Sequence, residues 1–199
     1  MSAQRFVLPS GTVTFLLTDI EGSTRHWEDD ASTMAPAVAR HYDILDDVIG
    51  RWGGVRPVEQ GEGDSVVAAF PRATDGLGAA VEAQQKLMAE LGDVFAVRMA
   101  LHTGEAQLRD EGNYFGETVN RCARVRACGH GGQVLCTQSV VELVGEKLPV
   151  DVHLVDLGST ACATSADPSE CGRSRSPACR RGSHRCARST PSITTSPSR

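Results

Sequence analysis

Lysine is nearly absent: Lys86 and Lys147 are the only two in 199 residues. Long apolar runs are missing as well, and none approaches the roughly 18 residues that a membrane-spanning helix needs. The first nine residues hold Arg5 and no apolar signal stretch, so a cytoplasmic protein without membrane contact is the expectation. A basic surplus is also lacking, since the formal net charge is −5. The charge is unevenly placed. Beyond Ser159 there are seven arginines against Asp167 and Glu170, so residues 1–159 carry −10. An acidic body of that kind argues against binding nucleic acid, which requires a basic face. Cysteine follows no framework: there are seven, an odd number, and a cytosolic chain keeps them reduced. Cys162, Cys171, Cys179 and Cys186 are separated by eight, seven and six residues, which fits no zinc pattern built on closely spaced pairs.

What is present is a soluble, globular composition, 40% hydrophobic and 23% charged, of a length for one domain and an appendage. The composition breaks at Gly158-Ser159. The following segment is rich in Ser, Arg and Pro, and Ile193 is its only large aliphatic residue. Such a segment buries too little apolar surface to offset its ordering entropy. The expected division is therefore a globular domain over 1–158 and a disordered Arg/Ser/Pro-rich tail over 159–199. That tail reads either as a segment without a selected function or as an RNA-binding arm, and the acidic body disfavours the arm.

Along the body, residues 12–18 are mostly apolar and read as a central strand buried on both faces. A short helix opens after Gly22, with Ser23 or Thr24 as its cap. Val38, Tyr42, Leu45 and Ile49 recur at helical spacing over 36–50, with Pro36 in the first turn. Strands over 55–59 and 65–70 read as a hairpin around Gly61 and Gly63. A helix is expected over 73–91 and a strand over 94–102 that Thr103-Gly104 breaks. A helix over 117–127, a short strand over 133–136, a short helix over 139–144 and a strand over 150–157 complete the order. This pattern predicts an α+β fold of the split βαβ type, an antiparallel sheet with helices on one face.

Two aspartates stand out. Asp19 closes the first apolar strand, in Phe15-Leu16-Leu17-Thr18-Asp19-Ile20-Glu21-Gly22-Ser23-Thr24. Asp64 sits in the glycine-rich Gly61-Glu62-Gly63-Asp64 turn before another strand. Carboxylates at strand ends beside tight turns suit hard divalent cations, the apparatus of in-line displacement at phosphate. Either residue alone reads equally as a helix cap or turn former. On the 117–127 helix, Asn120 and Arg124 share one face a turn apart. An amide and a guanidinium fork placed so would stabilise charge developing on phosphorus, although an ordinary solvated helix face has the same pattern.

Four segments in order resemble the class III adenylyl/guanylyl cyclase catalytic domain, in its compact actinobacterial form, over about residues 9–158. They are the Asp19 strand and turn, the Asp64 turn, Leu101-His102-Thr103-Gly104-Glu105, and Gly116-Glu117-Thr118-Val119-Asn120-Arg121-Cys122-Ala123-Arg124. The resemblance implies a ferredoxin-like βαββαβ core and a head-to-tail homodimer with two sites across the interface. Asp19, Asp64 and the carbonyl of Ile20 would hold two Mg²⁺ or Mn²⁺ ions, which would activate the ribose 3′-hydroxyl and hold the triphosphate. Asn120 and Arg124 of the other chain would orient the ribose and stabilise the transition state. The implied activity is that of an adenylate cyclase, converting ATP to 3′,5′-cyclic AMP and pyrophosphate.

The sequence departs from the family pattern in two places. The base-reading positions, typically Lys with Asp or Thr, are Gln60 and Asn113. Each amide can donate or accept, which predicts ATP as main substrate with weakened discrimination against GTP; a solvent-facing turn residue is the other reading of Gln60. Beyond Leu157-Gly158 the family's Lys-bearing hairpin is not recognisable, and the composition resembles a shifted reading frame. The expectation is a missing final hairpin and an unpaired sheet edge; Arg109 is a disfavoured candidate for a substitute phosphate contact. The alternative reading is accordingly an impaired or inactive cyclase-fold domain that acts as a dimerising or regulatory module.

Overall fold

A computed structural model describes residues 8–58, 63–92, 95–109, 112–149 and 152–157, and the backbone of 191–195. Strand β1 (Gly11–Ile20) lies inside the sheet, and seven of its ten residues are buried. It pairs antiparallel with β2 (Val66–Phe70) on one side and with β3 (Val97–Leu108) on the other. Between β1 and β2 run helices α1 (Ser23–Asp29) and α2 (Ala31–Arg51), and α3 (Ala73–Leu91) joins β2 to β3. After β3 come β4 (Tyr114–Phe115), α4 (Glu117–Ala127), β5 (Val134–Cys136), α5 (Gln138–Val144), β6 (Val152–Asp156) and β7 (Pro191–Thr195). The strand order is β2-β1-β3-β5-β7-β6, with β4 appended to β3. The expected α+β, ferredoxin-like architecture is the architecture found.

Alternation along β1 divides the core. Leu16 and Ile20 face α2, α3 and α5, in one cluster with Leu45, Leu77, Phe70 and Val140. Val13, Phe15 and Leu17 face the other way and meet Cys122 and Val125 of α4. Each side chain so buried contributes about 1.5–3 kcal/mol. Helices therefore cover both faces rather than one: α4 lies alone opposite the other three, and β5 pairs parallel to β3 in the otherwise antiparallel sheet. Among the described residues no helix is long and apolar enough to cross a membrane.

Several local expectations shift for identifiable reasons. Helix α2 begins at Ala31 and encloses Pro36, because Asp30 caps it through Ser32 N–H (3.0 Å) and Thr33 N–H (3.2 Å). Helix α1 is preceded by Gly22 at φ 72 and has no side-chain cap from Ser23 or Thr24. Of the expected hairpin, β2 forms, while its partner is a single bridge between Val55 and Ala69; residues 59–62 lie outside the described residues. Gly104 does not end β3. It lies within the strand, where an added Cβ would stand 2.9 Å from Thr118 Cγ2, so glycine lets α4 approach the sheet closely.

The tail differs as well. Pro191–Thr195, within the segment expected to be disordered, forms β7 between β5 and β6, with Ile193 in register with Val134 and Leu154. A Thr- and Ile-bearing stretch has the β-branched character that suits a strand. The sheet was expected to keep an unpaired edge, and β7 instead pairs with β5 and β6; residues 158–190 and 196–199 lie outside the described residues.

Gly104→Ala should destabilise the fold by about 1–3 kcal/mol through overpacking against α4. Adding Thr118→Ala, which clears the contact, should recover part of that loss in urea unfolding. Equal stability of Gly104→Ala and wild type would refute the close-approach argument.

Candidate active site

Asp19 is the penultimate residue of β1, Ile20 its last, and Asp64 precedes β2 by two positions. Because β1 and β2 are neighbours, the two carboxylates meet at one end of the sheet. The Ile20 N–H donates to Asp64 Oδ2 at 2.5 Å, fastening the turn to the strand. Asp64 itself is 7% exposed.

The Asp64 turn is held from α2. Tyr42 Oη donates to the Gly63 carbonyl, and His41 Nε2 lies 3.1 Å from the Asp64 carbonyl. A carbonyl only accepts, so the proton of His41 resides on Nε2. Burial pushes the His41 pKa below its ordinary value, which keeps the ring neutral in that role. On the other flank, the Gly131 N–H donates to Glu21 Oε2 at 2.8 Å and holds the Glu21 carboxyl below its usual range. The chain on both sides of the aspartates is therefore fixed by contacts with distant elements.

Asp19 faces a pair of arginines that sequence reading did not single out. Arg98, its register partner on β3, grips it with a two-pronged fork, Nε to Oδ1 at 2.6 Å and Nη2 to Oδ2 at 2.9 Å. Hydrogen bonding to Asp19 raises the Arg98 pKa further. Arg126, from α4, places Nε 3.5 Å from Asp19 Oδ2. The signal for Arg98 was a lone charge in the apolar run Val97-Arg98-Met99-Ala100-Leu101, which needs a counter-charge once buried.

Asn120 is exposed on α4 and Arg124 is half-buried one turn later. Arg124 and Arg121 both lie near His102, whose pKa is pushed down to about 4, chiefly by burial and then by these two cations. An open pocket of about 220 Å³ is lined by His102, Glu117, Thr118 and Arg121. Asn113 is buried just before β4. Its neighbour Tyr114 packs edge-on against Phe15 with ring centroids 4.8 Å apart and donates to the Pro9 carbonyl at 2.6 Å. Gln60 lies outside the described residues. The Val58 N–H donates to the Gly112 carbonyl at 3.0 Å, so the chain leading to Gln60 runs beside that carrying Asn113. The structure thus assembles Asp19, Ile20 and Asp64 in one corner, and Asn120 with Arg124 on one helix.

Two carboxylates and main-chain oxygen are hard donors of the kind Mg²⁺ and Mn²⁺ take. Among the described residues no group of three or more His, Cys, Asp and Glu side chains gathers around a metal position. So small a protein donor set fits magnesium-class ions that keep waters and complete their shell with substrate phosphates.

The family described as the adenylate and guanylate cyclase catalytic domain matches residues 7–160. An uncharacterized protein of Mycobacterium tuberculosis is 47% identical over 150 residues, which is 75% of this chain and 51% of that protein. The adenylate cyclase of Podospora anserina is 28% identical over 80% of this chain, but over only 8% of its own length. Among solved structures, an adenylate cyclase from Trypanosoma brucei in its monomeric state superposes with a TM-score of 0.72, at 22% identity over 97% of this chain and 93% of that one. The adenylyl cyclase CyaB of P. aeruginosa gives 0.68 at 15% identity, over 95% of each chain. The chain belongs to the adenylate and guanylate cyclase catalytic domain family, and it spans about half the length of the mycobacterial protein it matches.

His102 gives this region a measurable pH response. Between about pH 6.5 and about 4 the unfolded chain takes up a proton at this residue that the folded chain refuses, so stability falls as pH falls through that window. The loss in urea unfolding free energy from pH 7 to pH 5 should be smaller in His102→Asn than in wild type. Equal losses would show that His102 is not the group responsible.

Proposed function

We propose that the chain is a nucleotide cyclase that converts ATP to 3′,5′-cyclic AMP and pyrophosphate, accepting GTP more slowly, at sites formed between two copies of the chain. The observation that carries this reading is the convergence of Asp19, Ile20 and Asp64 at the shared end of β1 and β2, tied by the 2.5 Å bond from Ile20 N–H. Membership of the cyclase domain family supports the reaction class.

The two aspartates and the Ile20 carbonyl would hold a pair of Mg²⁺ or Mn²⁺ ions. Bound there, these supply Lewis acidity that lowers the pKa of the ribose 3′-hydroxyl and offsets the triphosphate charge. The 3′-oxygen, its proton released to solvent water, would then bond to the α-phosphorus as the bridge to the β-phosphate breaks, and that electron pair leaves with pyrophosphate. Asn120 of a second copy would orient the ribose, and Arg124 would donate to oxygens that gain charge in the transition state. Arg98, always protonated and aimed at Asp19, keeps the corner poised for anionic substrate. Gln60 and Asn113 would meet the base edge. Two amides can turn to match adenine or guanine, which is the basis for modest discrimination.

With Mn²⁺ and either nucleotide supplied separately, the wild-type chain should form cyclic AMP faster than cyclic GMP. Asp64→Ala should fall to background, and Arg124→Ala should lose about 10²–10³ in rate. Mixing Asp64→Ala with Arg124→Ala should restore part of the activity, because one site of each mixed dimer keeps every group. No product from wild type, or undiminished product from Asp64→Ala, would favour the non-catalytic dimerising module instead.

A further inference from the structure

Arg126 stands on the same helix as Asn120 and Arg124 but turns inward, toward Asp19 of its own chain. Its Nη1 donates to Ser65 Oγ at 2.6 Å and to the Thr18 carbonyl at 3.3 Å. Its Nε is buried without a hydrogen-bond partner and lies 3.5 Å from Asp19 Oδ2. Arg98 occupies both oxygens of the same carboxylate. Two carboxylates, Asp19 and Asp64, therefore share their corner with two permanent cations. The four charges sum to zero, so a divalent ion approaching alone gains little net attraction and meets Arg126 across one edge of Asp19.

A triphosphate changes that balance. It brings several negative charges and offers oxygen acceptors that match a guanidinium better than a 3.5 Å contact does. Turning from the carboxylate toward phosphate would satisfy the unpartnered Nε donor, a gain set against the Nη1 bonds to Ser65 Oγ and the Thr18 carbonyl. From this geometry we infer that Arg126 is an internal counter-ion of Asp19 that keeps divalent-ion affinity low until nucleotide arrives, so that metal and nucleotide enter together rather than metal first. Arg126 is thus a positioning residue, and the inference rests on the reading of Asp19 and Asp64 as metal ligands.

The test is Mn²⁺ binding to the nucleotide-free chain, followed by the electron paramagnetic resonance signal of free Mn²⁺. Arg126→Gln should bind Mn²⁺ more tightly by about tenfold, and Arg126→Lys, which keeps the charge, should stay within about threefold of wild type. With a non-cleavable α,β-methylene ATP present, the gap between wild type and Arg126→Gln should close. Tightening of less than about threefold in Arg126→Gln, or equal tightening in Arg126→Lys, would overturn the inference. If Arg126→Gln does not fold, Ser65→Ala removes the 2.6 Å anchor without changing a charge, and an unchanged affinity there counts against it. Asp64→Ala separates the two levels. Should Mn²⁺ binding survive that change in every background, the metal site itself is misassigned; should it vanish while Arg126→Gln matches wild type, only the role of Arg126 fails.

Discussion

The short bond from the Ile20 amide to Asp64 is the constraint on which the rest of the site depends. It joins the last residue of β1 to the turn that introduces β2, 44 positions away. Without it the Asp64 turn would be a glycine-bearing loop free to place its carboxylate anywhere. With it, and with His41 and Tyr42 holding the two carbonyls of the turn, the second acidic group is set before any ligand arrives. Fixing donor atoms on strand ends rather than on loops lowers the ordering cost that ligand binding must meet.

Charge is arranged with the same economy. The body is acidic overall, yet the corner holding Asp19 and Asp64 is locally balanced by Arg98 and Arg126. Burying carboxylates beside guanidiniums avoids the desolvation cost that two unpaired acids would incur. Under the proposed function, a ligand that brings both signs of charge, as a metal-bound nucleotide does, suits that balance.

Much of this was legible in the chain itself. Helix α4 ran over the residues that its pattern suggested because Gly116 marks its start and Cys122 and Val125 give it one apolar stripe. Asp19 and Asp64 stood out because one closes an apolar strand and the other precedes one, each beside turn-forming glycines. The arginines were not, since their partners lie 61 residues or more away: sheet register brings Arg98 to Asp19, and the packing of α4 on the sheet brings Arg126 to it. Gly104 misled because a glycine that admits a packed helix looks in sequence like one that ends a strand. The covering of both sheet faces was hidden for a related reason: α4 buries only two side chains fully, and so shows a weak apolar signal.

Strand β7 has a consequence for how the molecule comes into being. It follows β6 in sequence but is inserted between β5 and β6, so Val134 must wait for Ile193. During synthesis helices α1–α5 and strands β1–β6 can leave the ribosome while the flank of β5 still lacks its neighbour. Closing so long a loop is slow, and until it closes, the nascent sheet offers bare backbone donors and acceptors to other chains. Chaperone dependence and yield in expression should therefore track Pro191–Thr195 more than the Asp19 and Asp64 corner.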